Sequence, residues 1–193
     1  LIRNVYAVTN ADSIRVYKNE ELVGTFETKD SPFQNLPHGP VLLDDFIGDL
    51  LETKEGFSKG KAADVKKVLL SIAKNGLNHL PLGTILLAAK CMLLRGMKMA
   101  DAVELYNKYI GNWGGIATEY RFEAVKAGVV VFTVRKGPAR QPYLKVRVSD
   151  NHLVIGDTYD VAEIRLMAES EYGDTLCFCQ EALKLRTEGP IAL

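Results

Sequence analysis

The sequence has no excess of either charge and contains little cysteine. Its 193 residues include 24 Lys or Arg and 24 Asp or Glu, so the formal net charge is zero. This balance argues against a nucleic-acid-binding protein with a wholly basic surface, and charge repulsion does not oppose self-association. Three cysteines, Cys91, Cys177 and Cys179, are too few for a disulfide framework. We therefore expect free thiols, with Cys177 and Cys179 buried, in a reducing cytoplasmic compartment.

Long apolar runs are also missing. No segment reaches the ~18 uninterrupted apolar residues of a transmembrane helix, so we expect no transmembrane segment. The most apolar stretch, Pro81–Gly96, is shorter and contains Lys90. We interpret it as the central helix of a globular core. If it proves exposed, it is instead the surface used for assembly.

The short motifs of common catalytic and cofactor sites do not occur. Gly111–Gly115 lacks the Gly-Lys-Ser or Gly-Lys-Thr ending of a phosphate-binding loop. Cys177-Phe178-Cys179 lacks the second ligand pair of a zinc site. The sequence therefore predicts no catalytic residue, no metal and no cofactor. An enzyme whose site is assembled from residues distant in sequence would leave no such motif, and it stays the alternative.

The patterns that are present come in blocks. Residues 1–30 predict a β-hairpin, 41–110 a helical cluster, 118–156 an antiparallel β section and 160–188 C-terminal helices. Because strands and helices do not alternate singly, the sequence predicts an α+β fold, in a single domain covering 1–193. We expect the N-terminal hairpin to join the later strands.

Three of these assignments depend on local spacing. Val41–Glu52 has apolar residues three and four positions apart, which predicts a helix. Asp160 with Glu163 three residues later matches a helix-capping pattern. His152–Gly156 predicts a short strand.

A basic segment gives the candidate site. Val129–Val148 predicts a hairpin, and acidic residues are absent between Arg135 and Ser149. Arginine and lysine neutralise phosphates, and tyrosine stacks on unpaired bases. The alternative is an ordinary solvated strand face. The candidate residues for binding nucleic acid or another anion are Arg135, Lys136, Arg140, Tyr143, Lys145 and Arg147.

Two smaller features concern interfaces. The single tryptophan, Trp113, lies in the glycine-rich segment Gly111–Gly115, and we expect it to plug the helical core or anchor an interface. A helix-turn-helix around Gly96 is disfavoured, because Asp101 and Glu104 would repel phosphate.

Together these features favour a non-enzymatic binding or assembly protein. We expect it to self-associate into a homo-oligomer and to present the basic hairpin to an anionic partner, either nucleic acid or an anionic surface. Structural proteins of viruses and phages are one setting in which small assembly proteins of this kind occur.

Overall fold

The computed structural model describes residues 5–111 and 118–189. The chain divides into two compact units, residues 1–138 (unit 1) and residues 139–193 (unit 2). The assignment of residues 1–193 to a single domain stays a prediction.

Helices and antiparallel strands are both present, which confirms the predicted α+β class. Unit 1 contains, in chain order, β1 (Val5–Ala7), β2 (Ser13–Lys18), β3 (Glu21–Glu27), β4 (Val41–Leu43), α1 (Leu50–Thr53), α2 (Lys59–Asn75), α3 (Leu82–Leu94), α4 (Met99–Tyr106), β5 (Tyr120–Lys126) and β6 (Val129–Lys136). Unit 2 contains β7 (Tyr143–Val148) and β8 (Ile164–Glu169).

The main sheet of unit 1 is antiparallel, in the order β3-β2-β5-β6. β2 and β3 form the predicted N-terminal hairpin, and β2 pairs with β5, so the expected junction with the later strands is confirmed. The turn between β2 and β3 places Asn19 and Glu20 at positive φ. Two residues at positive φ match the right-handed twist of the strands in a two-residue hairpin.

The predicted helix Val41–Glu52 is wrong. Val41–Leu43 is β4, which pairs with β1, and only Leu50–Thr53 is helical. Between them Asp45 Oδ1 accepts hydrogen bonds from the backbone N–H of Ile47 (3.0 Å) and Gly48 (2.9 Å). Gly48 has φ +57°, and a Cβ there would lie 1.9 Å from the Val23 carbonyl oxygen. An Asx turn and a left-handed glycine thus replace continuous helix.

The core lies between this sheet and the helices. The helical spacing of the 41–52 segment had correctly marked core residues, because Leu43, Ile47 and Leu51 are almost fully buried. They pack in one cluster with residues of β2, α2, α4 and the turn after α4. Unit 1 therefore has the continuous apolar interior expected of a folded domain.

The predicted C-terminal helices are wrong, since the described residues of unit 2 contain no helix. Ile164–Glu169 is β8, paired antiparallel with β7. Asp160 does not cap a helix; its carboxylate accepts from the backbone N–H of Val154 (3.2 Å) and Val161 (2.9 Å). The predicted strand His152–Gly156 is irregular. Pairing with β7 overrides the capping pattern, which is a weak local signal.

Candidate assembly and anion-binding surfaces

The six predicted anion-binding residues do not lie on one hairpin. β6 pairs with β5 through the two-residue turn Ala127-Gly128, and β7 pairs with β8. The predicted hairpin Val129–Val148 is therefore wrong. Its supposed loop contains Pro138 and Pro142, which cannot donate to a strand ladder. Arg135 and Lys136 belong to unit 1, while Arg140, Tyr143, Lys145 and Arg147 belong to unit 2.

In unit 1, carboxylates already surround Arg135. Its guanidinium pairs with Glu20 (2.8 Å) and with Glu119. The hydrogen bond to Glu119, followed by that to Glu20, raises the pKa of Arg135 further above its ordinary value. Glu20 also pairs with Arg121 (2.9 Å). Lys136 follows Arg135 on β6 and is exposed. An anion would have to compete with carboxylates for Arg135.

In unit 2, Tyr143, Lys145 and Arg147 occupy alternate positions of β7 and so point to one face. Lys145 Nζ lies 2.8 Å from Glu169 Oε2. Arg147 is directly opposite Arg165, whose guanidinium pairs with Glu163 (2.8 Å).

Arg140 lies in the loop before β7, where its backbone N–H donates to the Glu171 carboxylate (3.1 and 3.3 Å). Within the described ranges, neither the Arg140 nor the Arg147 guanidinium is in an ion pair. The structure thus brings three candidate residues together on β7. Of the two β7 cations on that face, Lys145 is paired with a carboxylate and Arg147 is not.

The net charge of unit 2 is opposite in sign to that of the basic segment at its start. Residues 139–193 contain six basic and nine acidic residues, a formal net charge of −3. Residues 1–138 contain 18 basic and 15 acidic residues, a net charge of +3. The segment 59–108, which includes α2, α3 and α4, has nine basic and three acidic residues. The shorter segment 124–149 has six basic residues and no acidic one, so both segments have a net charge of +6.

Helix α3 is the largest departure from the expected core. Leu82, Leu86 and Leu93 expose 72%, 64% and 83% of their surface, and Cys91 is the only buried residue of the helix. The three leucines are four and seven positions apart, so they form one stripe. We call this stripe the outer face of α3. The prediction of a buried central helix is wrong, and exposure is the condition under which the sequence predicts an assembly surface.

Salt bridges tie α3 and its C-terminal end to α2, and Lys90, four positions after Leu86, borders the outer face. Lys90 Nζ and Arg95 Nη2 lie 2.9 Å and 3.1 Å from Asp64 Oδ2. Helices α2, α3 and α4 enclose an apolar cavity of about 70 Å³, which is lined by Val65, Val68, Leu69, Ile72, Ala88, Cys91, Met92, Met97, Ala102 and Leu105. The helix thus has one docked apolar side and one open apolar side. Trp113, the predicted interface anchor, lies outside the described residues.

A buried amine was not predicted from the sequence. Lys18 exposes 7% of its surface, and its Nζ donates to the Lys108 carbonyl oxygen (3.1 Å) and lies 5.4 Å from the Tyr109 ring centroid. Burial, and then the charge of Lys108, lower the pKa of Lys18 to about 8. The alternation of β2 contained the signal, since Lys18 continues the inward positions of Ile14 and Val16.

The neighbours of Lys18 form a polar network. Glu55 accepts from Tyr109 Oη (2.7 Å) and Lys108 Nζ (2.6 Å). Burial opposes ionisation of Glu55, but these two hydrogen bonds outweigh it and lower the pKa of Glu55. Burial, and then Glu55, raise the pKa of Tyr109. A near-neutral amine could act as a nucleophile, but Lys18 is too enclosed to meet a substrate. We interpret this network as structural.

Unit 2 contains a groove of about 440 Å³ beside Arg140. It is lined by Ala139, Arg140, Gln141, Pro142, Thr175, Leu176, Cys177, Phe178 and Cys179. Cys177 is exposed and Cys179 partly exposed, so the prediction of two buried thiols is wrong. No acid–base partner lines this groove. Its residues do not form the convergent polar constellation that the alternative enzyme interpretation requires.

No family model, no curated protein and no solved structure matches this chain. Among the residues that the structure describes, no three His, Cys, Asp or Glu side chains are grouped as metal ligands would be. Over the same residues, every helix is too short or too polar to cross a membrane.

Proposed function

We propose that this chain is a non-enzymatic assembly protein that self-associates through the outer face of α3. The observation that supports this proposal is the exposure of its most apolar segment. A helix that is apolar all round is ordinarily buried, and full burial of a leucine contributes about 1.5–3 kcal/mol. The exposed surfaces of Leu82, Leu86 and Leu93 are therefore available to stabilise an interface.

The charges around α3 permit association. Lys90 is the only charged residue within the helix, and it already pairs with Asp64. The formal net charge of the chain is zero, so copies do not repel one another as a whole. The interface would thus be apolar at its centre with charged residues at its margin, as in many specific interfaces.

Light scattering on a size-exclusion column, over a range of concentrations, tests the proposal. We expect the natural chain to exceed the mass of one copy and the double variant Leu86→Glu/Leu93→Glu to elute as a monomer with an unchanged circular dichroism spectrum. Leu36→Glu is the control, because Leu36 is an exposed leucine outside α3. A natural chain that is monomeric at all concentrations would refute the proposal. Loss of association in Phe132→Glu alone would move the interface to β6, where Phe132 is also exposed.

A second candidate function is anion binding by the β7 face and Arg140. Its support is the position of Arg147 opposite Arg165. Like charges directly opposite on neighbouring strands are destabilising, and a bound phosphate between them would relieve that repulsion. Tyr143, half exposed on the same face, could stack on an unpaired base.

Binding of a labelled single-stranded oligonucleotide at several salt concentrations tests this candidate. We expect Arg140→Ala/Arg147→Ala to weaken binding and to flatten its dependence on salt. The matched control, Lys67→Ala/Lys74→Ala, removes two exposed cations elsewhere. Equal losses in the two variants would show binding by general charge, and no loss in the first would reject the site.

A further inference from the structure

The described residues of each copy include two uncovered apolar surfaces that differ in kind. One is the outer face of α3 in unit 1. The other is one side of the β7–β8 ribbon, which we call the apolar ribbon face and which consists of Leu144, Val146, Val148 and Ile164. These four side chains are about half exposed, and the register places Val148 directly opposite Ile164. A two-stranded ribbon is marginal in water unless its apolar face packs on another element.

From these two surfaces we infer that the chain assembles head to tail, with the apolar ribbon face of one copy covering the outer face of α3 of the next. This inference rests on the proposed self-association through α3 and names its partner surface. A helix packed on the apolar face of a sheet is one of the few stable layer arrangements in proteins. The occupant of each surface is thus present on every copy.

The two surfaces match in length. The 13 residues of α3 extend over ~20 Å at 1.5 Å per residue. The six residues of β7 also extend over ~20 Å at about 3.3 Å per residue. Both surfaces are rows of aliphatic side chains. Lys90 borders the α3 row, and its charge is already paired with Asp64.

The two surfaces also match in charge. The outer face of α3 lies in the basic segment 59–108, whereas residues 149–163, which join β7 to β8, contain four acidic residues and no basic one. Pairing α3 with α3 of another copy would bring two basic segments together. The charged side chains of the ribbon strands, Lys145, Arg147, Arg165 and Glu169, lie on the other face of the ribbon. Pairing α3 with the apolar ribbon face and the acidic segment 149–163 therefore brings a basic segment against an acidic one, which favours encounter and orientation. The charges therefore favour the head-to-tail arrangement over a two-fold α3 dimer.

A standard interface buries about 800 Å² of surface per partner. The four half-exposed side chains of the apolar ribbon face supply less than this. The segment between β7 and β8 adds further exposed apolar side chains, which are Leu153, Val154, Ile155, Tyr159 and Val161. Because donor and acceptor surfaces differ, the contact is heterologous, and it closes into a ring or continues as a filament. We expect association to depend on concentration and to weaken as salt rises.

Mixing two full-length variants tests the arrangement. Variant A, Leu86→Glu/Leu93→Glu, places charges on the outer face of α3. Variant B, Leu144→Glu/Val146→Glu, places charges on the apolar ribbon face. Head-to-tail contact predicts that each variant alone is monomeric. It also predicts that an equimolar mixture forms heterodimers of twice the monomer mass, since A keeps its ribbon and B keeps its α3. A conservative pair, Leu86→Ala and Val146→Ala, should weaken association without abolishing it, which covers the case in which a glutamate variant misfolds.

The outcomes separate this inference from the proposed function. If A is monomeric while B assembles like the natural chain, α3 is the interface but the ribbon is not its partner, so only the inference fails. If the natural chain is monomeric, both fail. Binding of the monomeric natural chain to vesicles containing anionic phosphatidylserine, lost in variant A, would assign the α3 face to a lipid surface and overturn the inference as well.

Discussion

Units 1 and 2 differ in what they do with their apolar residues. Unit 1 buries aliphatic side chains from its sheet and its helices in one cluster. In unit 2, Ser170 is the only buried residue among those described, and no apolar side chain is buried. The difference comes from architecture, since a four-stranded sheet with helices encloses an interior and a two-stranded ribbon cannot. Unit 1 therefore has an apolar interior, whereas the described part of unit 2 leaves its apolar side chains exposed.

The largest expected effect is the loss of stability when a buried leucine of unit 1 is shortened. Leu51→Ala removes an almost fully buried side chain of unit 1 and should lower the free energy of unfolding by about 2–5 kcal/mol. Leu144→Ala makes the same chemical change on the ribbon, where half of the side chain is exposed, and should cost less than about 1 kcal/mol. Urea denaturation at a concentration where the chain is monomeric measures both. Equal losses would contradict the division between a buried core and an uncovered ribbon.

The sequence predicted the fold class and much of unit 1 because its signals there are local. The β2–β3 hairpin, α2 and the apolar positions of residues 41–52 follow from periodicity. The geometry of Val41–Leu43 does not, because it depends on pairing with β1, more than thirty residues earlier. Helical spacing and a buried strand-plus-turn mark the same residues as apolar, so only the long-range partner distinguishes them.

The candidate site was less predictable, for two physical reasons. Strand partners decide which residues share a surface, and β7 pairs with β8 rather than with β6. The carboxylates that neutralise Arg135 and Lys145 come from Glu20, Glu119 and Glu169, outside the basic segment. The exposure of α3 was likewise hidden, because an apolar helix in a core and one at an interface have the same composition.

A smaller change in stability is expected when Lys18, a buried lysine of unit 1, is replaced. The substitution Lys18→Met removes a buried amine whose desolvation destabilises the folded state, and the methionine side chain keeps the packing of the lysine stem. It should therefore raise the free energy of unfolding at pH 7 by about 1–3 kcal/mol. The replacement of a charged residue on the ribbon offers no such gain, since none there is buried. Thermal or urea unfolding of Lys18→Met beside the natural chain measures the difference, and a loss of stability would show that the amine is needed.

The same substitution has a pH signature. The pKa of Lys18 is 10.5 when unfolded and about 8 when folded, so between those values the unfolded state binds more protons and stability rises with pH. The gain of Lys18→Met should therefore be constant below pH 8 and shrink as pH rises toward 10.5. The raised pKa values of Cys91 and Tyr109 act in the opposite direction at high pH, but they are common to both proteins. The difference between the two curves thus isolates Lys18, and a difference independent of pH would contradict its assigned pKa.

The smallest effect compares one ion pair from each unit. In unit 1, Lys66 pairs with Asp45 and also donates to the Gly48 carbonyl oxygen (2.9 Å), so it secures the turn between β4 and α1. In unit 2, Lys145 pairs with Glu169 alone. Lys66→Met should lower the free energy of unfolding by about 1 kcal/mol and Lys145→Met by less than about 0.5 kcal/mol, because exposed pairs are screened by solvent.

Urea denaturation in low and high salt measures both losses. High salt should abolish the effect of Lys145→Met. Part of the effect of Lys66→Met should remain, since the hydrogen bond of Lys66 to a backbone carbonyl depends less on screening. A larger loss from Lys145→Met would mean that the ribbon depends on its own side chains for stability, rather than on a surface that covers it.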